Sequence, residues 1–168
     1  GQWLLKNIPA EGIVTFRGWI KMDLNEVEII LIEDNPYDAE LAIRTLKQYN
    51  LVDKLVWLKD GVDALDFIFA QGRYSGRSIE DVPKVILLDM HLPKIDGLEV
   101  LEKIKSDMRT RSIPVVVLTS SPEERRIVSS YNLGVNGYVI KPVDSNKFVD
   151  AVREIGIFFS GRIKSADS

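Results

Sequence analysis

Two hydrophobic patterns alternate along this chain. Short apolar runs occupy Val27–Ile32, Leu55–Leu58, Val85–Leu88, Val115–Leu118 and Tyr138–Ile140. Those at Val85 and Val115 are rich in β-branched residues and unbroken, which predicts central strands covered on both faces. The runs at Leu55 and Tyr138 are short with polar flanks, which predicts sheet edges. Between the runs the apolar period changes to that of an amphipathic helix. Asn35-Pro36 supplies a cap and a first-turn proline for one helix, whose Ala39, Ala42, Ile43 and Leu46 share a face. Asp60 caps a second, with Leu65 and Phe69 on one stripe. Leu98, Leu101 and Ile104 form the inner face of a third, with Glu102, Lys103 and Lys105 outside. Ser121-Pro122-Glu123-Glu124 is a capping box that starts a fourth. Phe148, Val152, Ile155 and Phe159 keep helical spacing through a fifth.

Five β–α repeats joined by right-handed crossovers make an α/β, doubly wound parallel sheet. With the polar-flanked runs at the edges, the strand order is the flavodoxin-like 2-1-3-4-5, with five flanking helices. The repeat occupies residues 25–160. Residues 161–168 form a short polar tail, and Gln71–Pro83 reads as a longer exposed loop. Residues 1–24 fit no β–α unit and end beside an internal Met22. They are read as sequence extraneous to the domain; in the alternative reading, Trp3, Phe16 and Trp19 pack on a partner or on the domain's own surface.

Composition narrows the function classes. The 168 residues suffice for one well-buried core and not for two ordinary domains. A net charge of −3 with no basic run argues against direct nucleic-acid binding. There are no cysteines, hence no disulfide framework, thiolate metal site or thiol nucleophile. No apolar stretch has the length of a membrane span or the form of a signal peptide, so the expected compartment is the cytoplasm.

In an open parallel sheet, function gathers at the carboxyl ends of the strands. Those ends carry Glu33-Asp34, Asp89, Thr119-Ser120 and Lys141-Pro142. Three carboxylates in one pocket repel each other unless a cation intervenes. An all-oxygen site with open positions suits Mg2+, with Asp34 and Asp89 as direct ligands, Glu33 acting through water, and the backbone carbonyl of His91 completing the set. Asp89 then reads as a nucleophile that takes a phosphoryl group. Mg2+, Lys141 and the Thr119 hydroxyl are the expected partners of the three phosphoryl oxygens.

These residues carry a resemblance. Glu33-Asp34 after the first strand, "LLDMHLPKIDG" around Asp89, "LTS" ending the fourth strand and "YVIKP" on the fifth make the chain similar to the response regulator receiver domain, over about Glu26 to Phe159. The resemblance implies that Asp89 accepts phosphate from a phosphohistidine on a sensor histidine kinase, in a Mg2+-dependent step. It also implies a switch. Thr119 moves toward the phosphoryl group, Tyr138 turns inward, and the surface of the fourth helix, fifth strand and fifth helix is remodelled for a downstream protein. Lys141-Pro142 resembles the family's cis peptide, which would aim the ammonium into the pocket. Gly97 is expected to supply a turn conformation open to few other residues. A finer resemblance, from "IEDNPYDAELAIRTL", the long Gln71–Pro83 loop and the lack of an output domain, is to stand-alone regulators of phytochrome-type kinases. These often form homodimers through the switch surface. Glu33 departs from the aspartate that many receivers carry.

Blander readings exist for single residues. Asp34 alone could be a helix cap, Thr119 a strand end, Lys141 a solvated edge lysine and Tyr138 an edge aromatic. Asp96 reads as a turn residue and Glu123 to Arg126 as a solvated helix start. His91, the sole histidine, is placed at the pocket rim, tuning how long the phosphoryl group survives. Other functions fit less well. An aspartyl-phosphate phosphatase of the haloacid dehalogenase type needs an aspartate where His91 stands. A flavodoxin needs a Ser/Thr/Gly-rich phosphate loop where Glu33-Asp34-Asn35-Pro36 stands. A receiver-like scaffold that works without phosphorylation is disfavoured by the full acceptor set. The expected role is that of a signalling switch rather than an enzyme of metabolism.

Overall fold

The unbroken β-branched runs become the middle of a parallel sheet. The computed structural model describes residues 13–15, 24–48, 54–143 and 146–154. Its strands are β1 (Ile13–Thr15), β2 (Ile29–Ile32), β3 (Lys54–Leu58), β4 (Val85–Asp89), β5 (Val115–Thr119) and β6 (Gly137–Ile140), in the order β1-β3-β2-β4-β5-β6. From β2 to β6 every pairing is parallel, so the five repeat strands run in the expected 2-1-3-4-5 order.

One feature departs from expectation. Residues 13–15 form an antiparallel strand on β3, with Ile13 opposite Val56 and Thr15 opposite Lys54. The Leu55 run is therefore not a sheet edge. An edge strand leaves a row of backbone N–H and C=O groups unpaired, and β1 takes them up. Polar flanks are a weak signal for this position, because the covering strand comes from outside the β–α repeat.

The helices are α1 (Pro36–Gln48), α2 (Gly61–Ile68), α3 (Gly97–Ser106), α4 (Pro122–Ser130) and α5 over 146–154. The caps read from the sequence form as side-chain bonds. Asn35 Oδ1 accepts from the Tyr37 and Asp38 N–H groups, Asp60 from Asp63 and Ser121 from Glu124. Each such cap contributes about 1 kcal/mol. Asp96, read as a turn residue, caps α3 by accepting from Leu98 and Glu99. On one face of the sheet, Ala64, Phe67, Val100, Leu101, Ile104 and Val128 are buried; on the other, Ala39, Ile43, Leu46, Phe148 and Val152. Val100 takes the inner place expected for Leu98, which is only half-buried at the helix start. Lys105, expected outside, is half-buried and donates to the Ile113 carbonyl at 2.8 Å.

The Gln71–Pro83 segment is not a plain exposed loop. It contains a 3-10 turn at Gly72–Tyr74, and Tyr74 is buried edge-on against Phe67 with ring centroids 5.0 Å apart. Arg77 is also buried. Its guanidinium donates to the carbonyls of Phe67 and Asp81, each at 2.7 Å, and lies 4.5 Å from the Phe67 ring centroid. The segment is stapled to the end of α2 by a cation that satisfies backbone carbonyls. Ile155, Phe159, Trp3, Phe16 and Trp19 lie outside the described residues, within which no helix is long and apolar enough to cross a membrane.

Candidate functional site: an acidic pocket at the carboxyl edge

Strand register assembles the pocket. Ile32 stands opposite Leu88, so the next residues, Glu33 and Asp89, emerge side by side. Thr119 stands opposite Ile140, and the Lys141 N–H donates to the Thr119 carbonyl at 2.8 Å, which delivers Lys141 to the same rim. One carboxylate oxygen from each of Glu33, Asp34 and Asp89 lies within 4.8 Å of the other two. Lys141 Nζ stands 2.9 Å from Glu33 Oε2 and 3.4 Å from Asp89 Oδ1.

Burial sets the electrostatics. The side chains of Glu33 and Asp89 are 1% and 4% exposed, while Asp34 faces solvent. Burial first, and the charge of Asp89 second, push the Glu33 carboxyl from 4.5 up to about 8; Lys141 and the Asn35 N–H pull the other way. Asp89 is likewise raised by burial, against the pull of Lys141, a hydrogen bond from Glu33 and the His91 N–H. Lys141 loses by burial but is raised overall by its hydrogen bond to Glu33 and by the charges of Glu33 and Asp89. Two buried carboxyls with one ammonium are short of positive charge. A pocket of oxygen donors that is open on the Asp34 side and crowds carboxyls together fits a hard divalent ion.

The remaining predicted residues are placed differently. Thr119 is fully buried and its hydroxyl donates to the Val139 carbonyl at 3.4 Å, a weak bond turned toward β6. Ser120 bonds to the start of α4. Its N–H and hydroxyl both donate to Glu124, at 3.1 and 3.3 Å. The exposed His91 imidazole pairs with the same Glu124 carboxylate, and His91 and Asp34 line a cleft of about 540 Å3 bounded by Val128. Tyr138 is half-buried with the Arg125 guanidinium 5.4 Å from its ring centroid. Glu124 and Arg125 are thus engaged rather than merely solvated. The Lys141–Pro142 peptide is cis, as the resemblance implied. Gly97 corrects an expectation, because it does not adopt the left-handed conformation, which in this loop belongs to Lys94 at φ 70°. Glycine is needed there for close approach: a Cβ would sit 2.5 Å from Met90 Cα and 2.9 Å from the Met90 carbonyl oxygen. The start of α3 packs directly on the backbone after Asp89.

Residues 29–153 match the model of the response regulator receiver domain. The chain belongs to that family. The receiver is 39% identical over 131 residues to the response regulator Rcp1 of Synechocystis sp., an alignment covering 78% of this chain and 87% of Rcp1. Among solved structures it resembles the bacteriophytochrome response regulator RtBRR, with TM-score 0.74, 47% identity and 79% of each chain covered. It also resembles the Mn2+-bound form of Rcp1, with TM-score 0.60, 39% identity and coverage of 77% and 91%. A third neighbour is the phosphorylated cyanobacterial phytochrome response regulator RcpA, with TM-score 0.65, 39% identity and coverage of 79% and 92%. The receiver is accordingly a module of two-component signalling.

Two contacts in the receiver's pocket escaped the sequence reading. Asp38, on the first turn of α1, places Oδ2 3.0 Å from Lys141 Nζ. Its place in the first turn of the helix that directly follows Glu33-Asp34 was an available signal, since that turn starts at the pocket's edge. Trp57 on β3 is buried and its indole N–H donates to the Glu33 carbonyl at 2.7 Å, fixing the backbone that carries the acidic pair. No local pattern marks that bond.

Proposed function

We propose that the receiver is a phosphorylation switch in which Asp89 accepts a phosphoryl group from a phosphohistidine of a sensor histidine kinase. An Asp89 carboxylate oxygen forms the new bond to phosphorus, the bond from phosphorus to the kinase imidazole breaks, and the product is an acyl phosphate. Glu33, Asp34, Asp89 and the backbone carbonyl of His91 would hold Mg2+, which when bound neutralises charge on the phosphoryl oxygens. Lys141 would donate to one such oxygen. Thr119 would reach another by giving up its long bond to the Val139 carbonyl, and Tyr138 would follow inward. The face built by α4, β6 and α5 then changes for a downstream protein or for a second copy of the chain. The kinase is of the phytochrome type in this reading, supported by the likeness to RtBRR, Rcp1 and RcpA, and the working compartment is the cytoplasm. Residues 25–160 constitute the switch domain together with the β1 strand of residues 13–15, which pairs with β3, and residues 161–168 lie outside it.

The observation that carries this reading is the convergence of the three carboxylates with Lys141 at one strand edge. The test is incubation with acetyl phosphate and Mg2+, followed by mass spectrometry of the intact chain and its peptides. One base-labile phosphoryl adduct is expected on Asp89, absent without Mg2+ and absent in Asp89→Asn. Labelling that persists at another residue in Asp89→Asn would refute the assignment. Thr119→Ala should still be labelled but should fail to change partner binding or self-association on phosphorylation; an unimpaired response would remove the proposed output route.

A further inference from the structure

The contacts of Lys141 give Asp38 a role. An ammonium has three N–H donors, and three carboxylates surround Nζ: Glu33 at 2.9 Å, Asp38 at 3.0 Å and Asp89 at 3.4 Å. Glu33 and Asp89 belong to the oxygen triad suited to a cation, and Asp38 does not. Asp38 is also the member that solvent reaches, its side chain 37% exposed against 1% for Glu33. Its position is fixed by the α1 cap, since Asn35 Oδ1 accepts from the Asp38 N–H at 3.1 Å.

On the phosphoacceptor reading above, a phosphoryl group on Asp89 needs one of the Lys141 donors. Glu33 is a poor contact to release, because its side chain is 1% exposed and no water can replace the ammonium as donor. Asp38 can be released at small cost, because solvent takes the place of the ammonium. We propose that Asp38 is a positioning residue for Lys141. It holds the ammonium before phosphorylation and is the contact exchanged when the phosphoryl group arrives, so its carboxylate competes with phosphoryl capture.

The test is a double-mutant cycle on the rate of Asp89 labelling by acetyl phosphate at saturating Mg2+. The four proteins are wild type, Asp38→Asn, Lys141→Met and the double variant. Asp38→Asn is expected to raise the rate about fivefold, the scale of a partly exposed ion pair, and to have no effect once Lys141 is methionine. An unchanged rate in Asp38→Asn overturns the proposal. So does an equal rise in both backgrounds, because that would be a general field effect acting without Lys141. A second readout needs no metal: urea midpoints of the four proteins in chelator should be non-additive, and strict additivity overturns the contact itself. An unlabelled Asp89 in wild type removes the phosphoacceptor reading and this role with it. A labelled wild type with either null pattern removes only the role of Asp38.

Discussion

Replacing Glu33 by glutamine should stabilise the metal-free receiver, although Glu33 is an intimate part of the pocket. Burial and Asp89 hold its carboxyl at about 8 instead of 4.5, so forcing it to ionise in the fold costs about 5 kcal/mol. A raised carboxyl pKa means that the native state binds the proton more tightly than the unfolded chain. This group's contribution to stability is therefore fully present below 4.5 and is lost as pH rises through about 8. Glutamine copies the neutral form. Its carbonyl can accept from Lys141, as Glu33 Oε2 does now, while its amide takes the place of the Oε1 that accepts from the Asn35 N–H and can donate toward Asp89. Urea denaturation in chelator is the assay, run at pH 5, 7 and 8.5 as chosen points across that interval. Glu33→Gln should match wild type near pH 5 and exceed it by about 3 kcal/mol near neutrality, rising toward about 5 kcal/mol above pH 8. Mg2+ should close much of that gap by stabilising wild type more than the variant. A variant less stable than wild type at pH 8.5, or one with the same pH slope, would refute the picture of a carboxyl held neutral by burial and repulsion.

Three further outcomes follow from particular contacts. Gly97→Ala would drive a methyl into the Asp89–Met90 backbone, and overpacking against a backbone costs about 1–3 kcal/mol; a thermal melt unchanged from wild type, with normal Asp89 labelling, would contradict the close approach. Arg77→Met leaves the carbonyls of Phe67 and Asp81 without their buried donor and should lower unfolding stability by about 3 kcal/mol in urea titrations; a loss below about 0.5 kcal/mol would mean that Arg77 does not staple the 71–83 segment. Mg2+ titrated into the receiver should change the emission of Trp57, whose indole is bonded to the Glu33 carbonyl, and Trp57→Phe should abolish that change; a response that survives in the variant would locate the metal elsewhere.

The fold was legible because its signals are local. Val85–Leu88 and Val115–Leu118 are apolar on both alternating faces, which only a doubly covered strand tolerates. Asn35, Asp60 and Ser121 mark helix starts through bonds to N–H groups two or three residues away. The carboxylate convergence was legible at one remove: once strand order is set, the register of β2 and β4 leaves Glu33 and Asp89 no choice but to be neighbours. Gly97 was read as a conformational device because the sequence contains its neighbours in the chain and not the backbone of Met90 packed over it. Arg77 and Tyr74 were missed for a related reason. A cation in a Gly- and Ser-containing stretch looks solvated until the Phe67 and Asp81 carbonyls are seen against its guanidinium.

The same reasoning separates the pocket's chemistry from its control. Glu33, Asp34, Asp89 and Lys141 sit at strand ends, where the topology alone brings them together, so their partnership is written into the alternation of apolar runs. Asp38, Trp57 and Glu124 come from a helix turn, a strand interior and a helix start: Asp38 bonds Lys141, Trp57 bonds the Glu33 carbonyl, and Glu124 bonds Ser120 and His91 at the rim. Such residues do not create the carboxylate cluster. They set how firmly its cation, its backbone and its rim are held before a phosphoryl group arrives. Substitutions at these three positions should therefore alter rates and lifetimes of phosphorylation while leaving its location on Asp89 unchanged, whereas substitutions of the carboxylates Asp34 and Asp89 should alter whether it occurs.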